Sequence, residues 1–130
     1  MVLNPDCIRD VLIAIESLDF GEYLTLDALC ARLPTYTKEE IHYTCLKLDE
    51  GGFLDVMTVT MTQRTMPGIK QINGLTFGGH EFLDSVRETS NWAKVKDVAK
   101  KAGTFSLQSL AAIAQEVAKA AIQSALKLKL

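Results

Sequence analysis

The sequence has little with which to hold a metal or run a reaction. It contains two histidines, His42 and His80, and three cysteines, Cys7, Cys30 and Cys45, at wide and irregular gaps. Structural zinc sites need four ligands at short paired spacings, and disulfide frameworks need an even set, so this pattern fits neither. Each cysteine lies inside a helical apolar pattern and reads as a small buried hydrophobe, and unpaired thiols imply a reducing, cytoplasmic address. There is no glycine-rich phosphate loop. The carboxylates are scattered over helix surfaces, with no pair spaced to share a pocket for general acid–base work. Cys45 with His42 lacks the third, orienting group that a nucleophile pair needs. His80 behind Gly78-Gly79 reads as a cap or packing residue at a helix start. The expectation is a protein that is not an enzyme, with no catalytic residue, no cofactor and no metal.

Long apolar runs are also missing. None reaches the roughly 18 residues required to span a bilayer, and the least charged window, 102–115, is interrupted by Thr104, Ser106, Gln108 and Ser109. The opening Met1-Val2-Leu3-Asn4-Pro5-Asp6 has no basic segment followed by an apolar run, so no secretory leader is expected. Repeats and low-complexity linkers are absent. What is there, 48% hydrophobic and 23% charged residues in a chain of 130, suits an ordinary globular core that stabilises itself without cross-links.

The net charge of −2 conceals a split. Residues 1–88 hold seven Lys/Arg against fourteen Asp/Glu, a net −7, whereas residues 89–130 hold seven Lys against Asp97 and Glu116, a net +5. Each half repels ligands of its own sign.

Hydrophobic periodicity then orders the chain. Asn4 caps a helix opened by Pro5 and Asp6, with Ile8, Val11, Leu12, Ile15 and Leu18 on one stripe. A short extended piece, Glu22-Tyr23-Leu24, precedes a second helix capped by Thr25, bearing Leu26, Leu29, Cys30 and Leu33, and stopped by Pro34. Thr37 with Glu40 three residues on is a capping box. It starts a third helix whose inner stripe is Ile41, Thr44, Cys45 and Leu48 and whose end is Gly51-Gly52. The period then falls to two: from Phe53 to Thr62, Met57, Val59 and Met61 alternate with threonines, and after a turn at 63–68 a partner strand returns over 69–77. Gly78-Gly79 is expected to break that strand. A fourth helix spans 80–88, a fifth 92–101, and an alanine-rich sixth about 106–126. The fold expected is α+β and mainly helical, a winged helix-turn-helix with a two-stranded wing over 1–88 and a helical extension over 89–130. That extension combines a basic linker helix with a long apolar helix suited to oligomerisation.

Several stretches carry a resemblance: Leu3-Asn4-Pro5-Asp6-Cys7-Ile8-Arg9-Asp10-Val11-Leu12, Leu33-Pro34-x-Tyr36, Glu40-Ile41-x-Tyr43, Leu48-Asp49-Glu50-x-Gly52 and Leu75-Thr76-Phe77-x-Gly79-His80-Glu81-Phe82-Leu83. From about residue 3 to 110 the chain resembles domain of unknown function family 2513, small proteins of phages, prophages and mobile elements. The Thr-Phe-x-Gly-His-Glu-Phe-Leu stretch is the most specific part. The resemblance implies a winged helix and a mobile-element context, and it implies no activity and no site residue.

Two surfaces are candidate interfaces. In helix-turn-helix proteins the third helix reads the major groove and the wing holds phosphates. Here Lys38, His42, Tyr43 and Lys47 would face bases, with Arg64 and Lys70 on the wing, which would make the protein a DNA-linked regulator. Against duplex DNA stand Glu39, Glu40, Asp49 and Glu50 and the −7 field, since DNA affinity rests on phosphate neutralisation. The same acidic surface suits a host or phage protein, as an antirepressor or inhibitor would. The second surface is the sixth helix, whose apolar arc is too wide for one-sided packing. Leu110, Ile113, Ala114, Val117, Ala118, Ala121 and Ile122 are the expected contacts of a homo-oligomer. A helix folded back over its own winged helix and an assembly or membrane-acting effector are the alternatives, the membrane disfavoured because the helix lacks the dense cationic face of membrane-surface helices.

Overall fold

A computed structural model describes residues 1–60, 62 and 65–129. Met61, Gln63 and Arg64 in the wing lie outside them, as does Leu130. The chain divides into two compact units, Met1–His80 and Glu81–Leu130.

In the first unit, α1 (Pro5–Glu16) begins where expected, with the Asn4 side chain accepting from the Asp6 N–H. Its buried stripe is Cys7, Ile8, Val11, Leu12 and Ile15. Helix α2 (Leu26–Arg32) starts at Thr25, whose hydroxyl accepts from the Ala28 N–H. Helix α3 (Lys38–Glu50) is capped by Thr37 through the Glu40 N–H. The Glu40 carboxylate accepts from the Asn4 side chain, 3.2 Å away, so the capping residue also ties α3 to the start of α1. At the other end Gly52 adopts φ +83°, which a side chain would disfavour, while Phe53 N–H donates to Leu48 O and Gly52 N–H to Asp49 O. These two bonds are a Schellman stop, the expected role for paired glycines after the last buried leucine. Tyr36 donates to Asp10 at 2.6 Å, fixing the α2–α3 turn on α1. The core consists of the α1 stripe with Leu24, Leu26, Leu29, Ile41, Cys45, Leu48, Leu54 and Ile72.

Strands β1 (Leu54–Val59) and β2 (Gly68–Leu75) pair antiparallel. Leu24 adds a bridge to Ile72, making β2 the middle of the small sheet. The alternation along β1 is real, but two register irregularities interrupt the pairing, and Met57 and Val59 are exposed. The apolar face read from the sequence is therefore open at Met57 and Val59, and the strand enters the core through Leu54 instead.

The return strand stops at Leu75, and Phe77 belongs to α4 (Phe77–Val86). The sequence reading that placed Gly78-Gly79 as a break and His80 as the helix start is corrected here. Thr76 is the cap: its hydroxyl accepts from Gly79 N–H and donates to the Gly52 carbonyl, and its own carbonyl accepts from His80 N–H. His80 is exposed. The two glycines lie in the first helical turn because a backbone approach, not a chain break, requires them.

Helix α4 runs across the boundary between the units. In the second unit α5 (Thr89–Ala102) ends at Gly103, φ +76°, with Thr104 N–H on Ala99 O and Gly103 N–H on Lys100 O. Helix α6 (Leu107–Lys129) packs on α5, and Trp92, Val95 and Ala99 are buried, as are Leu110 and Ala114. The element order, helices, an antiparallel hairpin, then C-terminal helices, is the α+β arrangement expected from the sequence and is consistent with a winged helix. Among the described residues no helix is long and apolar enough to cross a membrane.

The thiols differ in exposure. Cys7 and Cys45 are fully buried, whereas Cys30 is half-buried, which corrects the expectation of three buried thiols. Burial pushes the Cys45 thiol from 9.0 up to about 12 and raises Cys7 as well. In the native protein, a thiol reagent should therefore label Cys30 first and reach Cys7 and Cys45 only on unfolding. Because the folded value of Cys45 lies above the unfolded one, its contribution to stability is complete below about pH 9 and is lost as pH rises toward 12. A urea midpoint that does not fall between these pH values would contradict this assignment.

Candidate interaction groove on the third helix

The 3.6-residue period places Glu39, His42, Tyr43, Lys47 and Glu50 on the face of α3 away from its buried stripe, with Leu46 buried at the edge of that face. The wing loop approaches this face. The His42 Nε2–H donates to the Pro67 carbonyl at 3.0 Å, a bond that fixes the loop's distance from the helix. The result is a groove of about 730 Å³ lined by Met1, Lys38, Glu39, His42, Tyr43, Leu46, Lys47, Glu50 and residues 65–67. Its floor is apolar: Leu46 is 8% exposed, and Met66, 46% exposed, stands at its rim.

Both lysines described in the lining of this groove are already engaged. The Lys38 ammonium lies 2.9 Å from Asp27, and Lys47 lies 2.9 Å from Glu50. These hydrogen-bonded carboxylates hold both lysines above their ordinary value. Lys47 also stands over the Tyr43 ring, 5.4 Å from its centroid. Glu39 is exposed in the lining. Across residues 1–80, six Lys/Arg face eleven Asp/Glu, a net −5.

Of the residues the sequence singled out for nucleic acid, Lys38, His42, Tyr43 and Lys47 come together in this groove. Lys70 is exposed on β2 and is not part of the lining, and Arg64 lies outside the described residues. Sequence reasoning missed the apolar half of the groove. Leu46, which is not on the inner stripe read from the sequence, is buried. Met66 and Pro67 reach the helix only through the fold of the wing, for which a local pattern gives no signal.

The expected oligomer contacts divide. Leu110 and Ala114 are fully buried in the second unit, and Ile113, Val117 and Ala118 are half-buried. Ala121 and Ile122 are exposed, as is every side chain over 121–128, including Leu126 and Leu128. The part of α6 open to a partner is thus its last two to three turns. Among the described residues no group of three or more His, Cys, Asp or Glu is placed to hold a metal ion.

A family profile described as "Hypothetical protein (DUF2513)" matches residues 2–105. The chain belongs to the DUF2513 family. No curated protein and no solved structure matches it. This member of the family therefore has to be read from its own groove and helices.

Proposed function

We propose that this DUF2513 protein is a non-enzymatic winged-helix binding protein of the cytoplasm, a regulator from a phage or mobile element that docks a segment of another protein in the groove between α3 and the wing. One observation carries the reading. The helix face that would enter a major groove is instead half-covered by the wing loop and apolar at its floor, and both its lysines are paired with carboxylates. Protein interfaces take such a surface readily, because aromatic and methionine side chains at the centre with charges at the rim are their usual composition. The test is a photo-activated cross-linker in place of Tyr43 or Met66 in cells. A discrete protein adduct at both positions, absent from the exposed Glu22 on the α1–α2 loop, is the expected result. Adducts to nucleic acid alone, or none, would reject the reading.

Duplex DNA is the second reading, favoured by one fact. Lys38 and Lys47 have exposed ammonium groups, and ion pairs in solvent are weak, so phosphates can compete for them.

A further inference from the structure

Among the described residues two apolar surfaces are open to solvent, and they lie on segments of opposite net charge. The first is the α3–wing groove, on a unit of net −5. The second is the end of α6, where Ala118, Ile122 and Leu126 follow one another at four-residue steps on a single stripe. Ile122 and Leu126 are each 58% exposed, and residues 117–130 contain three lysines and no acidic side chain. Lys119 borders the stripe and is held only by a loose 3.4 Å contact to Glu116.

We infer that the occupant of the groove is the terminal half of α6 from a second copy of this chain. The inference rests on the reading of the groove as a protein-docking site and names its partner. Helix-in-groove recognition lays the apolar face of a helix, with anchors three and four residues apart, into an apolar cleft, and α6 offers Ala118, Ile122 and Leu126 at four-residue steps. The groove supplies Leu46 and Tyr43 below and Met66 and Pro67 at the side. The lysine-only end of α6 meets a unit of net −5 whose groove lining offers the exposed Glu39, Glu50 being already held by Lys47, so the overall charge of each surface favours the other. An α6–α6 pair gains none of this, because it sets Lys119 and Lys127 against a second lysine-only helix end. A groove-to-helix contact is heterologous, and exchange between two copies closes it with two-fold symmetry while making the contact twice. Each dimer so formed has both grooves filled, so self-association and capture of another protein compete for one surface.

The experiment is mixing of two full-length variants, each followed by sedimentation or light scattering. Met66→Glu spoils the groove and leaves α6 intact, and Leu126→Glu spoils the helix and leaves the groove intact. Both positions are exposed, 46% and 58%, and circular dichroism checks that both variants fold. The wild-type chain should show about twice its 14.3 kDa mass at about 100 µM, where contacts of micromolar Kd are filled. Each variant alone should associate about 100-fold more weakly, and the equimolar mixture should regain a dimer, since one intact groove then meets one intact helix. Raising salt should weaken the wild-type dimer. A monomeric wild type overturns the inference. So does a Met66→Glu protein that dimerises as wild type does, which would instead mean α6–α6 pairing, and so does a mixture that stays monomeric. The reading of the groove as a docking site is decided separately, by cross-linking from positions 43 and 66.

Discussion

Gly79→Ala should cost this protein about 3 kcal/mol or more, the upper end of what overpacking a well-filled site costs. A Cβ at Gly79 would lie 2.1 Å from the Phe53 carbonyl oxygen, 3.1 Å from its carbon and 3.3 Å from the Leu75 Cβ. The atoms it meets first are backbone, so no rotamer change relieves the clash. The Phe53 carbonyl also accepts from Thr76 N–H at 3.1 Å and cannot move without breaking that bond. Gly78 is the internal control. A Cβ there meets nothing closer than the Gly52 oxygen at 3.5 Å, an ordinary contact. Gly78→Ala should therefore be neutral or gain up to about 1 kcal/mol from helix propensity. In thermal melts the Gly79 variant should fall by about 10 °C, at about 2–4 °C per kcal/mol for somewhat larger domains and more for smaller ones, while the Gly78 variant stays close to wild type. Equal melting of the two would mean that α4 does not approach the α3–β1 corner as closely as the structure places it. The same contacts explain the stretch from Thr76 to Leu83. Its threonine caps α4 and clamps Gly52, and its glycine admits the Phe53 backbone, so it is a fold fixture.

The features that could be read from sequence were those decided within a few residues. Asn4-Pro5, Thr25, Thr37 with Glu40, and Gly51-Gly52 act on helix ends through one or two hydrogen bonds each, and all four fall where local pattern put them. The misplaced boundary at α4 has the opposite character. A pair of glycines after a strand looks like a loop, and only the approach of Phe53, 26 residues earlier, makes Gly79 a helical residue. Met57 and Val59 alternate correctly yet stay exposed, because a sheet of two strands and one bridge offers nothing to cover that face. The groove follows the same rule. Its α3 half follows from helical period, and four of the six residues named for nucleic acid line it. Its wing half depends on how residues 65–67 fold back on His42. The paired state of Lys38 was equally out of reach, because Asp27 is eleven residues away, whereas Lys47 and Glu50 stand three apart on one helix and charge counting alone passes over them.

Duplex DNA should bind this protein weakly. A protein that neutralises six to ten phosphates loses about 10³–10⁵ in affinity between about 50 and 200 mM salt, with a log–log slope near −0.9 per phosphate. The groove supplies Lys38 and Lys47, each already matched by a carboxylate, and Lys70 stands apart from them on β2. Around them the first unit adds a net −5 that repels phosphate. At about 0.15 M salt, where charges are screened over roughly 8 Å, retention of a random duplex should be negligible by fluorescence anisotropy. At low salt some binding should appear, carried as much by Lys94, Lys96, Lys100 and Lys101 as by α3. The joint substitution Lys38→Ala and Lys47→Ala should then change affinity by less than about threefold, within the small worth of exposed ion pairs. Charge reversal acts in the opposite direction. Glu39→Lys with Glu50→Lys frees Lys47, adds two cations to the same face, and should raise low-salt DNA affinity about 10-fold or more while steepening the salt slope by about two phosphates' worth. The same double variant should lose the protein adducts formed from positions 43 and 66, because the rim that selects a cationic partner has changed sign. Tight binding by the wild-type chain that loses a full phosphate's slope with Lys47→Ala would reverse the order of the two readings, and it would make the carboxylate partners of Lys38 and Lys47 gates on a DNA surface.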